Sequence, residues 1–132
     1  PIYTRPRFLP ASRMHNCQID EAIVAEGCYL DSCEIRDSVV GVRTSIQHGA
    51  VITRSVLLGA DSYDDRQSDL PLGIGKGAVL DRVIVDKNAR IGENVRLVNE
   101  AGIQDVDGDG YHIRNGIIIV PKGGVVKPGT VV

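Results

Sequence analysis

The chain has 132 residues, 42% of them hydrophobic and 24% charged, with a formal net charge of −2. That is the size of one domain, too apolar for a disordered tail and without the basic excess that nucleic-acid binding needs. No apolar run approaches the roughly 18–20 residues of a membrane-spanning helix, so neither nucleic acid nor membrane is expected as a partner. The apolar residues are mostly of one kind: 17 Val and 14 Ile against 8 Leu, one Phe and no Trp, with 15 Gly. β-Branched side chains favour strands, and so few aromatics argue against the usual aromatic-centred sandwich core.

Residues 1–16 contain Pro1, Pro6 and Pro10 together with Arg5, Arg7 and Arg13, and read as an extended lead-in or interdomain linker. From residue 17 to residue 132 an aliphatic track sets in. It runs Ile19, Val24, Leu30, Ile35, Val40, Ile46, Ile52, Leu57, resumes at Ile74, Leu80, Val85, Ile91, Leu97, and again at Val120, Val126, Val132. Of its 13 steps, eight are six residues long and five are five. A helix needs 3.6-residue spacing and a lone strand needs strict alternation; neither fits. Three residues into the six-residue steps stand Gly27, Arg43, Gly49, Gly77, Asn88, Asn94, Gly123 and Gly129. Seven of the eight are Gly or Asn, which best tolerate a left-handed backbone.

The pattern predicts an all-β, single-stranded parallel β-helix of hexapeptide-like repeats. Three short faces would close a coil of about 18 residues, with coils stacked about 4.8 Å apart. The spacing does not set the hand of the coil. Residues 61–73 and 98–116 break the track and are expected as polar insertions projecting from corners. Asp105 to Gly110 matches the first half of a calcium loop, but its twelfth position is Gly116 where a bidentate Glu is required, so an acidic turn is the expectation.

Cys17, Cys28 and Cys33 lack paired metal or redox spacing and are read as reduced, small, partly buried residues. Nucleotide-binding, zinc-protease and serine-hydrolase signatures are absent, and Gly73-Ile-Gly75-Lys-Gly77 fits coil corners. His15, His48 and His112 fall in the lead-in, beside a corner and in an insertion, so no metal site is expected. His48 alone is placed to act as base in a stand-alone hexapeptide-repeat acyltransferase. A third reading is a purely structural assembly module. The four lysines, Lys76, Lys87, Lys122 and Lys127, all lie in the second half. Lys87 and Lys122 occupy the same repeat position, two residues past Val85 and Val120 and one before a corner. If stacking brings them together, two ammonium groups and nearby corner N–H groups form an anion site.

Pro1-Ile-Tyr-Thr-Arg-Pro-Arg-Phe-Leu-Pro10, Ser38-Val-Val-Gly41, Gly59-Ala-Asp61, Ile84-Val-Asp-Lys-Asn-Ala-Arg-Ile-Gly92 and Gly129-Thr-Val-Val132 together resemble the C-terminal domain of glucose-1-phosphate adenylyltransferase (ADP-glucose pyrophosphorylase), of the cyanobacterial and plant type. The resemblance runs collinearly through essentially the whole chain. It implies a left-handed coil that follows a catalytic nucleotidyltransferase domain, to which ATP, glucose 1-phosphate and Mg²⁺ belong. This chain alone is then expected to be inactive and to hold no cofactor of its own. The resemblance further implies sister subunits in a tetramer, its own N-terminal catalytic domain as a partner, and anionic effectors such as 3-phosphoglycerate or phosphate. It assigns Lys87 and Lys122 to the activator site, with Arg7 contributing between the domains and Asp86 orienting Lys87 or limiting its reach. Arg5 stands where plant small subunits commonly carry Gln, adding charge to that edge. A bacterial cytoplasm or a plastid stroma is the implied location.

Overall fold

The computed structural model describes residues 9–63 and 69–132. Its strands form three sheets, and every third strand along the repeat joins the same sheet. The inward residues stack in register as three aliphatic columns. One column is Met14, Leu30, Ile46, Ile74, Ile91 and Val126. The second is Ile19, Ile35, Ile52, Leu80 and Leu97. The third is Val24, Val40, Leu57, Val85 and Val120. From Leu30 onward the first two columns are buried, as is the third from Val40. Each coil alone would leave its inner face wet, so stacking supplies the core.

All eight residues expected at corners have positive φ, from 56° at Arg43 and Asn94 to 82° at Gly49. The five-residue steps turn differently. Their left-handed residue comes two places after the inward one: Glu21, Ser32, Asp37, Arg54 and Arg82. None is Gly or Asn, which is why these corners carried no compositional signal. The step from the second sheet to the third is always five residues, and from the third to the first always six where no insertion intervenes. Uninterrupted coils are therefore shorter than the expected 18. Leu30 pairs with Ile46, 16 residues on, and Ile74 with Ile91, 17 on.

Small residues line the corners inside. Ser38 and Ser55 are buried there without cost in hydrogen bonds. Ser38 Oγ donates to the Arg36 carbonyl (2.7 Å) and accepts from Ser55 N (3.1 Å). Ser55 Oγ repeats the pattern with Thr53 O and Val83 N, one coil further along. A hydroxyl that both donates and accepts can replace the lost solvent on each rung.

Two expectations need correction. Arg13–His15 lies within the stretch read as lead-in, yet it is a strand paired parallel with Tyr29–Asp31, so the first rung starts before residue 17. Of the Asp105–Gly110 run expected as an acidic turn, Asp105–Asp107 is a strand, and the turn follows it, closed by Gly108 N donating to Tyr111 O (2.8 Å). It pairs antiparallel with His112–Arg114, which pairs antiparallel with Ile117–Val120. The second interruption thus ends the third sheet with a hairpin and buries Ile113. One of its acids is paired within the hairpin: Asp107 Oδ1 accepts from Arg114 (2.6 Å) and lies 2.8 Å from His112 Nδ1.

Candidate anion-binding site

The site sits where the third sheet turns toward the first. Val85 and Val120 are paired neighbours in the third sheet. The backbone turns alike after each, with a positive-φ residue at Asn88 and at Gly123, so Lys87 and Lys122 leave the same edge on adjacent coils. Gly123 N donates to the Lys87 carbonyl (2.9 Å), stacking the two corners. Thirty-five residues of sequence separation, including a whole insertion, are thereby reduced to one coil spacing.

Both ammonium groups meet one carboxylate, that of Asp61. Lys87 Nζ lies 3.4 Å from Asp61 Oδ1 and Lys122 Nζ 3.9 Å from Oδ2. Asn88 holds Asp61 from the other side. Its Nδ2 donates to Asp61 Oδ2 (3.0 Å), and its Oδ1 accepts from Asp61 N (2.9 Å). The Asn88 side chain, followed by Lys87, keeps the Asp61 carboxyl below its ordinary range. Lys87, Lys122 and Asp61 remain substantially open to solvent, so a small anion could reach them.

The backbone before Asp61 explains its position. The first insertion leaves after Leu57, at this same edge. Gly59 O accepts from Asn88 N (3.0 Å), and Ala60 N donates to Val42 O (2.9 Å). The start of the insertion therefore fills the corner of the stack between Arg43 and Asn88. Gly59 has φ 90°, and a Cβ there would overlap the Val42 carbonyl oxygen. Tyr63 then folds back: the Arg43 guanidinium lies 5.9 Å from its ring centroid, and its hydroxyl donates to Gly27 O (3.3 Å).

Of the residues singled out in the sequence, Lys87 and Lys122 are brought together. Asp86 is adjacent, but its Oδ1 accepts from the Lys87 backbone N–H (2.6 Å). It therefore shapes the corner that carries Lys87. Arg5 and Arg7 lie outside the described residues. His15, His48 and His112 are apart, in the first rung, at an exposed corner and in the hairpin. No cluster of three metal-ligating side chains occurs among the described residues. Asp61 was missed because it belongs to an insertion, whose course the repeat does not dictate.

The model of the GLGC left-handed parallel beta-helix domain matches residues 7–131. The chain belongs to this family. The match gives the coil its left hand, and the three parallel ladders are those of such a domain. The GLGC β-helix is the C-terminal domain of glucose-1-phosphate adenylyltransferase, a nucleotidyltransferase. Within the GLGC fold, the Lys87–Asp61–Lys122 cluster lies on the edge between the third and first sheets.

Proposed function

We propose that this domain is the regulatory and assembly module of a glucose-1-phosphate adenylyltransferase, and that Lys87 and Lys122 bind an anionic effector such as 3-phosphoglycerate or phosphate. The parent reaction, ATP with glucose 1-phosphate to ADP-glucose and diphosphate, belongs to a separate catalytic domain, as does its Mg²⁺. On this reading, the chain by itself is inactive and serves starch or glycogen synthesis through its parent. The observation that carries the reading is the convergence of two lysines on one carboxylate. Among the described residues, both ammonium groups face the same exposed acid, Asp61. A phosphate dianion offers more charge and more acceptor oxygens than Asp61 does.

Arg7, and Arg5 beside it, would add guanidinium donors from the segment leading toward the catalytic domain. An effector held by both elements would bias the domain arrangement, with a coupling of about 1–3 kcal/mol. The test is kinetic and uses the full-length enzyme. Lys87→Ala and Lys122→Ala should each raise the effector concentration needed for half-maximal activation at least tenfold, leaving unactivated turnover within about twofold. Unchanged activator dependence in both variants would refute the assignment.

A further inference from the structure

The corner between the first and second sheets holds one small inward residue per coil. Successive coils place Cys17, Cys33, Ala50, Ala78 and Val95 there. Backbone bonds stack them: Cys33 O accepts from Gln18 N (2.9 Å), Ala50 O from Glu34 N (3.0 Å), and Ala78 O and Val95 O from Val51 N and Val79 N (both 2.8 Å). Ala fills the place on later coils, so packing alone does not ask for a thiol. On the first two coils the column presents a pair. Cys17 Sγ and Cys33 Sγ are 3.7 Å apart, and the pairing of Gln18 with Glu34 puts the two cysteines level on adjacent strands. Parallel neighbours stand about 4.8 Å apart, inside the Cα window of about 4.4–6.8 Å that a disulfide needs. Rotation of the two side chains then brings the sulfurs to bonding distance, about 2.0 Å.

We propose that Cys17 and Cys33 are a dithiol site that a small disulfide oxidises to an intrachain bond, stapling the first coil to the second. Cys17 is partly open and is the thiol that a dissolved reagent meets; Cys33 is buried. Burial, then the Cys17 side chain, pushes the Cys33 thiol up to about 12, so Cys33 does not start the reaction. The Cys17 thiolate attacks one sulfur of the reagent and expels the other as a thiolate, which takes up the proton that Cys17 lost. Cys33 then attacks Cys17 Sγ in the mixed disulfide, expels the second thiolate and passes its proton to it. Two cysteines lose two electrons and one small disulfide gains them. Cys28 takes no part. It is buried at another corner, with its Sγ 3.1 Å from Gly41 O.

The bond falls where it changes most. Among the described residues, the first coil has a stacked neighbour on one side only. Its inward Met14 and Ile19 are 50% and 37% exposed, while Leu30 and Ile35, their partners on the second coil, are fully buried. Thinly covered end segments open most readily. A cross-link between residues 16 apart removes much of that freedom. The end coil is therefore tighter when oxidised and looser when reduced. The site stands apart from the anion site and does not rest on the parent activity.

Incubating the reduced chain with oxidised glutathione at about pH 8 tests it. Mass spectrometry should find a chain lighter by two hydrogens, a peptide pair linked through Cys17 and Cys33, and a free Cys28, all reversed by dithiothreitol. The oxidised chain should melt about 5–10 °C above the reduced one. Amide hydrogens of Gln18–Asp20 should exchange at least about tenfold more slowly after oxidation. Cys17→Ala puts on the first coil what Ala50 and Ala78 put on later ones, so it should fold and lose all three responses. Cys28→Ala should keep them. A lasting glutathione adduct on Cys17 would overturn the inference, as would a bond that joins two chains or includes Cys28. So would a Cys17–Cys33 bond that leaves melting and exchange unchanged.

Discussion

Lys87 Nζ and Asp61 Oδ1 are 3.4 Å apart, although the two residues belong to different coils and Asp61 to an insertion. Lys122 faces the other carboxylate oxygen. On the function proposed above, the chain's own acid and a dissolved anion would compete for the same two charges. Removing the acid's charge should favour the anion. Asp61→Asn is expected to tighten phosphate or 3-phosphoglycerate binding about two- to tenfold. Exposed ion pairs are weak and screened by solvent, so the gain stays modest. Titration calorimetry on the chain, or activation of the full-length enzyme, reads it directly. Weaker binding in this variant would mean that Asp61 positions the lysines rather than competing for them.

Acid should loosen the same cluster. The Asp61 carboxyl is held below its ordinary value of 3.8, first by Asn88 and then by Lys87. A carboxyl depressed by folding stabilises the native state above the unfolded value, and that contribution is lost as pH falls through the folded one. Stability should therefore decline below about pH 4 in part through Asp61. Asp61→Asn should show a shallower decline there than wild type, and little change in pH slope near neutrality. Thermal melts of both proteins between about pH 3 and pH 7 make the comparison.

Gly59 places Asp61, and it has no room for a side chain. Its φ of 90° and the approach of the Val42 carbonyl require Gly. Gly59→Ala should destabilise the domain by about 1–3 kcal/mol. The strain could be relieved only by moving the turn away from the stack, so the Asp61 contacts should go with it. A drop in melting temperature, together with phosphate affinity resembling that of Asp61→Asn, would identify both effects. A variant as stable as wild type would contradict the packing described for this turn.

The two thiols at the first corner should differ in reactivity. Cys17 Sγ and Cys33 Sγ are 3.7 Å apart on successive coils, with Cys33 buried and Cys17 partly open. Burial, then the Cys17 side chain, pushes the Cys33 thiol up to about 12. Native protein treated with iodoacetamide at pH 8 should therefore be alkylated at Cys17 and not at Cys33, as mass spectrometry of the peptides would show. Because the folded value lies above the unfolded value of 9.0, Cys33 also makes stability fall as pH rises from 9 toward 12. Cys33→Ala should lessen that alkaline loss, whatever its cost at neutral pH.

The repeat was legible because it is local. Turning the chain every five or six residues needs a left-handed residue at each corner, and an inward aliphatic residue must recur at the same phase. Both demands fall on residues close in sequence, so Ile46 to Ile52 and Gly49 between them announce themselves. The shared phase of Lys87 and Lys122 was legible for the same reason. The five-residue corners were harder. Arg54 and Arg82 accept positive φ because the hydrogen-bonded stack holds them there, and side-chain type gave no hint of it.

What the sequence by itself determined is thus the coil, its aliphatic columns and the two lysines in phase. The carboxylate between them was decided only in three dimensions. An insertion carries no phase of its own, and the place where Asp61 comes to rest depends on which rung the returning backbone can bond to. Gly59 and Ala60 found Asn88 and Val42 there.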